Sequence, residues 1–116
     1  MTRNASVREV ATEIVARNPV AAADGGLTVE RLMEGVKMDP EDDSHVLGHL
    51  DWSENGIVVL PESIGDLTVD GSLCLNYNQL KSLPESFGSL AVGGRLHLYN
   101  NQLESLPESF GSLTVG

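Results

Sequence analysis

The chain has 116 residues, which suits one domain with a modest hydrophobic core. Seven Lys and Arg against seventeen Asp and Glu give a formal net charge of −10, which argues against nucleic acid and anionic lipid as partners. No run approaches the ~18 consecutive apolar residues of a membrane span, and residues 1–25 lack the basic start and apolar run of a signal peptide. With Cys74 as the one cysteine, we expect a cytoplasmic protein with no membrane insertion.

Residues 1–45 carry helical signals and no repeat, so the sequence predicts a helical N-terminal cap region. Ser6-Val7-Arg8-Glu9 matches a capping box, and apolar residues follow at helical spacing until Asn18-Pro19. Thr28 is expected to cap a second helix, and Asp39-Pro40 to begin a short third turn or helix. We expect this region to cover one end of the core that follows; a separate pair of docking helices is the alternative.

The remainder of the chain, residues 46–116, repeats itself every 23 residues. The tetrapeptide Leu-Pro-Glu-Ser recurs at this spacing, at residues 60–63, 83–86 and 106–109. A frame of the form apolar-x-apolar-x-x-Asn-x-apolar also recurs, at residues 50–57, 73–80 and 96–103. A unit of this size cannot bury its apolar side alone, so neighbouring copies are expected to stack. The repeats amount to about three units and a truncated fourth.

Each frame is expected to form a strand followed by a turn. In Leu73-Cys74-Leu75-Asn76, alternation points both leucines inward and Cys74 and Asn76 outward. The chain is then expected to turn after Asn78, whose buried amide would bond backbone groups of its own and adjacent copies. Equivalent asparagines would form a ladder that consists of Asn55, Asn78 and Asn101. Trp52 holds an inward position and is predicted to lie in the core beside the N-terminal region.

These copies resemble the leucine-rich repeat, in its 23-residue Leu-Pro type, over residues 46–116. One departure is that the position of Leu47, three residues before the first strand leucine, holds Asp70 and Gly93 in the later copies. The resemblance implies an α/β fold: a short right-handed solenoid, or horseshoe, with a parallel sheet on its concave face. It also implies a non-enzymatic scaffold that binds a protein partner through that face.

The outward positions define the predicted binding surface. Because equivalent residues of parallel strands form columns, four columns are expected on the concave face. They are His49, Ser72 and Arg95; Asp51, Cys74 and His97; Ser53, Asn76 and Tyr99; and Glu54, Tyr77 and Asn100. Tyr77 and Tyr99, with Arg95 nearby, are residue types that anchor interfaces, so these positions are predicted to bind the partner.

The column of Asp51, Cys74 and His97 also holds the residue types of a nucleophilic triad or a metal site. Asp51 would flank Cys74, however, and could not orient His97 from its far side. Zinc would need four tetrahedral ligands, whereas these three residues lie in a line. We therefore predict no catalytic residue, no metal site and no cofactor.

Two alternatives to a simple binding module stay open. One is the substrate-recognition fragment of a larger enzyme, such as an effector ubiquitin ligase, and the other is a structural subunit docked in a large assembly. The sequence stops where comparison with residues 93–96 places the next strand. We therefore expect the C-terminal end of the core to be covered by further repeats, a partner or a second copy.

Overall fold

The computed structural model of the chain describes residues 4–23, 26–112 and 114–115. The first helix, α1 (Val7–Arg17), begins at the predicted capping box: Ser6 Oγ accepts from the Glu9 N–H at 3.0 Å, and Glu9 Oε1 accepts from the Ser6 N–H at 3.1 Å. These bonds satisfy donors that a helix start leaves free. Two short helices follow, α2 (Pro19–Ala23) and α3 (Val29–Met33), and Thr28 caps α3 as predicted.

Residues 38–46 form a β-hairpin, and the turn predicted to begin at Asp39-Pro40 is its connection, at Pro40 and Glu41; the alternative of a short helix there is wrong. Strand β1 (Met38–Asp39) pairs antiparallel with β2 (Asp42–Val46). Aspartates fix the turn, because Asp39 Oδ1 accepts from the Glu41 N–H at 2.9 Å and Asp42 Oδ1 from the Ser44 N–H at 3.0 Å. Aspartate favours turns through such bonds to backbone two residues on, and here they outweigh the helix-start signal of the Asp-Pro pair.

The hairpin opens a five-stranded sheet with the order β1-β2-β4-β6-β8. Strands β4 (Thr68–Val69), β6 (Ala91–Val92) and β8 (Thr114–Val115) extend it from β2, each in parallel with its neighbour. Successive Cα partners lie 23 residues apart, as in His45, Thr68, Ala91 and Thr114. The sequence period is therefore the register of this sheet.

A second, three-stranded sheet is parallel throughout. It consists of β3 (Leu50–Asp51), β5 (Leu73–Cys74) and β7 (Leu96–His97), in that order. Leu50 pairs with Leu73, and Leu73 pairs with Leu96. The same register pairs Asp51 with Cys74 and Cys74 with His97, so this one of the four predicted columns is confirmed.

Three 3₁₀ helices stack beside one another, at Glu62–Asp66, Glu85–Ser89 and Glu108–Ser112. In the sequence, each one follows a strand of the three-stranded sheet and precedes a strand of the five-stranded sheet. Phe87 in the second lies parallel to Phe110 in the third, with ring centroids 6.1 Å apart. A Cβ on Gly88 would overlap the backbone carbonyl of Ser109. Glycine therefore permits the close approach of one unit to the next.

The buried side chains form one cluster that runs from the helices into the repeats. Trp52 is fully buried, and its Nε1 donates to the Leu32 carbonyl of α3 at 2.7 Å, so its predicted position beside the N-terminal region is confirmed. Burial falls along the repeats: equivalent leucines are 4 %, 7 % and 53 % exposed at Leu60, Leu83 and Leu106. In the described part of the chain, no helix has the length and apolar character to cross a bilayer.

Candidate functional site

The outward positions of the three-stranded sheet and the residues that follow its strands form one surface, here called the β3–β5–β7 face. It comprises the twelve predicted binding residues, His49, Asp51, Ser53, Glu54, Ser72, Cys74, Asn76, Tyr77, Arg95, His97, Tyr99 and Asn100. The sheet register places Asp51 beside Cys74 and Cys74 beside His97. Apart from Asn76, all of these residues are exposed or partly exposed.

Asn76 is buried, so its predicted outward exposure is wrong. Only 8 % of the residue is exposed. It lies in the middle unit, where its carbonyl accepts from the Glu54 N–H of the preceding unit at 3.2 Å. The backbone bends immediately afterwards at Tyr77. Neighbouring units and this bend cover a side chain that strand alternation alone places outside.

The bend itself has an unusual backbone conformation. Glu54, Tyr77 and Asn100 have φ angles of 56°, 58° and 58°, in the left-handed region. The chain therefore turns at Tyr77–Asn78, and the prediction that it turns after Asn78 is one residue late. This conformation costs roughly 1–2 kcal/mol for a residue with a Cβ, and its recurrence at the same position of three units shows that the surroundings hold it.

The predicted asparagine ladder supplies much of that support. Asn78, 6 % exposed, accepts through Oδ1 from the N–H groups of Asn55 and Ile57, both at 3.0 Å. Its Nδ2 donates to the carbonyls of Trp52 and Leu75, also at 3.0 Å. One amide therefore ties the bend of its own unit to the preceding unit, as predicted.

The ladder continues at Asn101 and begins at Asn55. Asn101 accepts from the Leu80 N–H at 3.0 Å and donates to the Leu75 carbonyl at 2.9 Å. Asn55 donates to the Ser53 carbonyl, but its buried Oδ1 has no partner among the described residues. The region before Asn55 does not follow the 23-residue frame, so no equivalent N–H groups are placed to meet this oxygen.

Aromatic rings stand exposed on this supported frame. Tyr77 and Tyr99 are each 53 % exposed. Their ring centroids lie 5.5 Å apart at an interplanar angle of 81°, and the His97 ring lies 5.8 Å from Tyr99 at 84°. Edge-to-face pairs of this kind stabilise ring positions. We call these three residues, Tyr77, His97 and Tyr99, the aromatic cluster. The aromatic cluster presents a large preformed contact area.

Two predicted binding residues have a second role between units. His49 Nδ1 accepts from the Ser72 N–H at 2.8 Å, and Ser72 Oγ accepts from the Arg95 N–H at 3.0 Å. The column of His49, Ser72 and Arg95 thus extends the backbone pairing through side chains. This role could not be predicted from the residue types, since many of them would keep the frame at these positions.

The column of Asp51, Cys74 and His97 is adjacent in register but does not show an activated nucleophile. Burial, and then the negative charge of Asp51, raise the pKa of the Cys74 thiol. Asp51 Oδ1 instead accepts from the Ser53 hydroxyl at 2.5 Å. Across residues 4–23, 26–112 and 114–115, no group of three His, Cys, Asp or Glu side chains could hold a metal ion.

One ionisable cluster, of His45, Asp39 and Asp70, has no counterpart among the sequence-based predictions. His45 on β2 bonds Asp39 through Nδ1 at 2.9 Å and Asp70 through Nε2 at 2.7 Å. Bonding to Asp70, and next to Asp39, raises the pKa of His45. The cluster joins the hairpin to the segment after β4. Only knowledge of the fold could have found it, because Asp70 lies 25 residues after His45 and Asp39 reaches His45 only across the hairpin.

Residues 95–113 match the protein-family model described as Leucine Rich Repeat. The chain contains leucine-rich repeats. The matched segment holds strand β7, the ladder residue Asn101 and the third 3₁₀ helix, which are the parts that each earlier unit repeats. Leucine-rich repeats generally mediate protein–protein interactions and are typically not enzymes. No curated protein matches the chain.

Proposed function

We propose that these leucine-rich repeats bind a protein partner through the β3–β5–β7 face and catalyse no reaction. The exposed aromatic cluster carries this proposal. Tyrosines offer large contact area with few rotatable bonds and are enriched at interface anchors. Both tyrosines lie on a backbone held by the asparagine ladder. The loss of conformational entropy on binding should therefore be small.

We further propose the shape in which this face is presented. The 23-residue register of both sheets supports a short right-handed solenoid of the Leu-Pro repeat type, with the β3–β5–β7 face on its concave side. Residues 1–45 would act as its cap and residues 46–116 as its repeats. The bond from Trp52 to the Leu32 carbonyl supports the capping role, since it joins the first unit to α3.

The absence of catalysis is part of the same proposal. Cys74 is the only cysteine of the chain, and a thiolate is the reactive form of a cysteine. Its pKa is raised by burial and by Asp51. Both effects work against nucleophilic catalysis at the column that otherwise holds suitable residue types.

The test is capture of partners from an extract of the native source by the full chain and two variants. The first variant, Tyr77→Asn with Tyr99→Asn, removes the exposed rings but uses residues already present at equivalent positions, Asn100 and Asn76. The control variant, Thr68→Ser with Glu85→Gln, changes exposed residues of β4 and the second 3₁₀ helix.

Proteins retained by the unmodified chain and the control, but lost from the tyrosine variant, would support the proposal. Equal retention by all three would contradict it. Circular dichroism of each variant before capture establishes that the loss does not come from unfolding.

A further inference from the structure

Two carboxylates, those of Asp51 and Glu54, lie on the unit that precedes Tyr77. Glu54 occupies the position equivalent to Tyr77, and its N–H donates to the Asn76 carbonyl that directly precedes Tyr77. Asp51 pairs in register with Cys74 on β5. Both carboxylates belong to exposed residues, and neither forms an ion pair with any described residue. Glu54 therefore places beside Tyr77 a negative charge that no ion pair among the described residues compensates.

The wider charge distribution has the same sign. Residues 46–116 contain eight Asp and Glu but only two basic residues, Lys81 and Arg95. Arg95 lies at the start of the third strand, where its N–H bonds Ser72, while Glu54 and Tyr77 lie beyond the ends of theirs. Such a field raises the local concentration of cationic partners and speeds their association.

The rings and the carboxylate together favour one kind of cation. The face of an aromatic ring is negative and attracts a cation placed over it. A planar guanidinium can stack flat on a ring and bond a carboxylate through two parallel N–H groups, whereas an ammonium meets both as a point charge without that fixed fork. Tyr77 and Glu54, at equivalent positions of adjacent units, offer these two contacts side by side.

From this arrangement we infer that the partner presents a basic segment whose arginine stacks on Tyr77 and pairs with Glu54. This inference rests on the proposed function and names the chemistry of the partner. It assigns Tyr77 the role of stacking platform and Glu54 that of charge partner. Arg95 directly precedes the third strand and Glu54 lies beyond the end of the first, so the segment would bind in one direction, with its positive charge toward Glu54.

The experiment titrates three synthetic peptides into the full ¹⁵N-labelled chain. All three share a Gly-Ser backbone of equal length and carry spaced arginines, lysines or glutamates. We expect the arginine peptide to shift the amide signals of Glu54, Tyr77 and Tyr99, and to bind roughly threefold or more tightly than the lysine peptide. The glutamate peptide is expected to leave these signals unchanged. Affinity should fall as salt is raised.

Single substitutions separate the two contacts. Tyr77→Asn keeps a residue that tolerates the left-handed backbone, and Glu54→Gln removes the charge but not the length of the side chain. Each should weaken the arginine peptide roughly tenfold, as expected for loss of an interface anchor. Glu85→Gln, the same charge change on the second 3₁₀ helix, should leave binding unchanged.

Equal affinity for the arginine and lysine peptides, no effect of Glu54→Gln, or binding of the glutamate peptide would each overturn the inference. If no peptide binds while partner capture still depends on Tyr77 and Tyr99, the inference fails and the proposed function stands. If capture does not depend on the tyrosines, the proposed function fails as well. Binding of the arginine peptide that both face variants weaken supports the inference.

Discussion

The side-chain amide of Asn18 forms two hydrogen bonds with the backbone of Val59, one through its nitrogen and one through its oxygen. Asn18 Nδ2 donates to the Val59 carbonyl at 2.9 Å, and Asn18 Oδ1 accepts from the Val59 N–H at 3.0 Å. The same side chain also donates to the Ile14 carbonyl and accepts from the Val58 N–H, both at 2.7 Å. Asn18 is only 3 % exposed. The end of α1 is thus joined to the first repeat by a buried side chain, and replacing that side chain would cost stability.

Replacing Asn18 should therefore destabilise the whole chain. Asn18→Ala would leave backbone groups at residues 14, 58 and 59 without these partners, and we expect the free energy of unfolding to fall by about 2–3 kcal/mol. Thr12→Ala is the control, since Thr12 is exposed and makes one bond, to the Arg8 carbonyl. Urea denaturation of both variants measures the difference. Equal midpoints would mean that α1 is not joined to the repeats in this way.

The contrast between Asn18 and Asn78 shows how far the sequence could predict the structure. Asn78 recurs with a fixed period, so its burial and its bonds to adjacent units followed from the frame. The sequence around Asn18 indicates only that a helix ends there, and its hydrogen-bond partners in the first repeat lie about 40 residues away. The hairpin at residues 38–46 has the same limit in part, because its strand β2 pairs with β4, 23 residues further along the chain.

Within the candidate site, the columns were predictable and the exposure of each member was not. The register between neighbouring strands follows from the 23-residue period alone, and Cys74 and His97 pair in that register. The burial of Asn76 depends on the left-handed bend at Tyr77. Neither Glu nor Tyr favours this conformation, so their identities gave no signal for it. Asparagine tolerates the left-handed conformation, so Asn100 was the one residue in the column of Glu54, Tyr77 and Asn100 that indicated the bend.

The cluster of His45, Asp39 and Asp70 should make stability depend on pH. Bonding to Asp70 and Asp39 raises the pKa of His45 above its ordinary 6.5, so its contribution is fully present below pH 6.5 and is lost as pH rises through the raised value. The backbone bond from Glu41, and next the His45 bond, lower the pKa of Asp39 below 3.8. Its contribution is present above pH 3.8 and is lost on acidification. The cluster therefore stabilises the fold most between these values.

Urea midpoints measured from pH 5 to pH 9 test this dependence. We expect the unmodified chain to lose stability relative to His45→Gln as pH increases above 6.5. Asp70→Asn removes the largest cause of the raised pKa and should flatten the profile. Parallel profiles for the unmodified chain and His45→Gln would show that the cluster does not form in solution.

Cys74 should react slowly with a thiol reagent, and removing the charge of Asp51 should increase the rate. Burial and the Asp51 charge raise the pKa of the thiol, so little thiolate is present at neutral pH. Asp51→Asn keeps an oxygen for Ser53 but removes the charge, and labelling should become faster. Because Cys74 is the one cysteine, absorbance of the released thiolate from an aromatic disulfide reagent follows it directly. His97→Gln should not change the rate; slower labelling in that variant would indicate that His97 activates the thiol.

Close stacking of the units can be tested at two equivalent glycines. A Cβ on Gly88 would overlap the Ser109 carbonyl of the next unit, whereas a Cβ on Gly111 would meet nothing within 4 Å among the described residues. Gly88→Ala must therefore push apart the second and third 3₁₀ helices and disturb the parallel Phe87 and Phe110 rings. We expect it to lower the free energy of unfolding by roughly 1–3 kcal/mol, as overpacking does.

Gly111→Ala is the matched control, because it makes the same substitution at the same position of the next unit. Neither glycine has a positive φ, so alanine is compatible with the backbone at both. At Gly111 the smaller conformational freedom of the unfolded chain should leave stability unchanged or raise it by about 0.4–1 kcal/mol. Differential scanning calorimetry then compares the two variants directly. A loss of stability at Gly111 equal to that at Gly88 would mean that alanine acts through the 3₁₀ helix itself, and that the contact between units is looser than the Gly88–Ser109 approach requires.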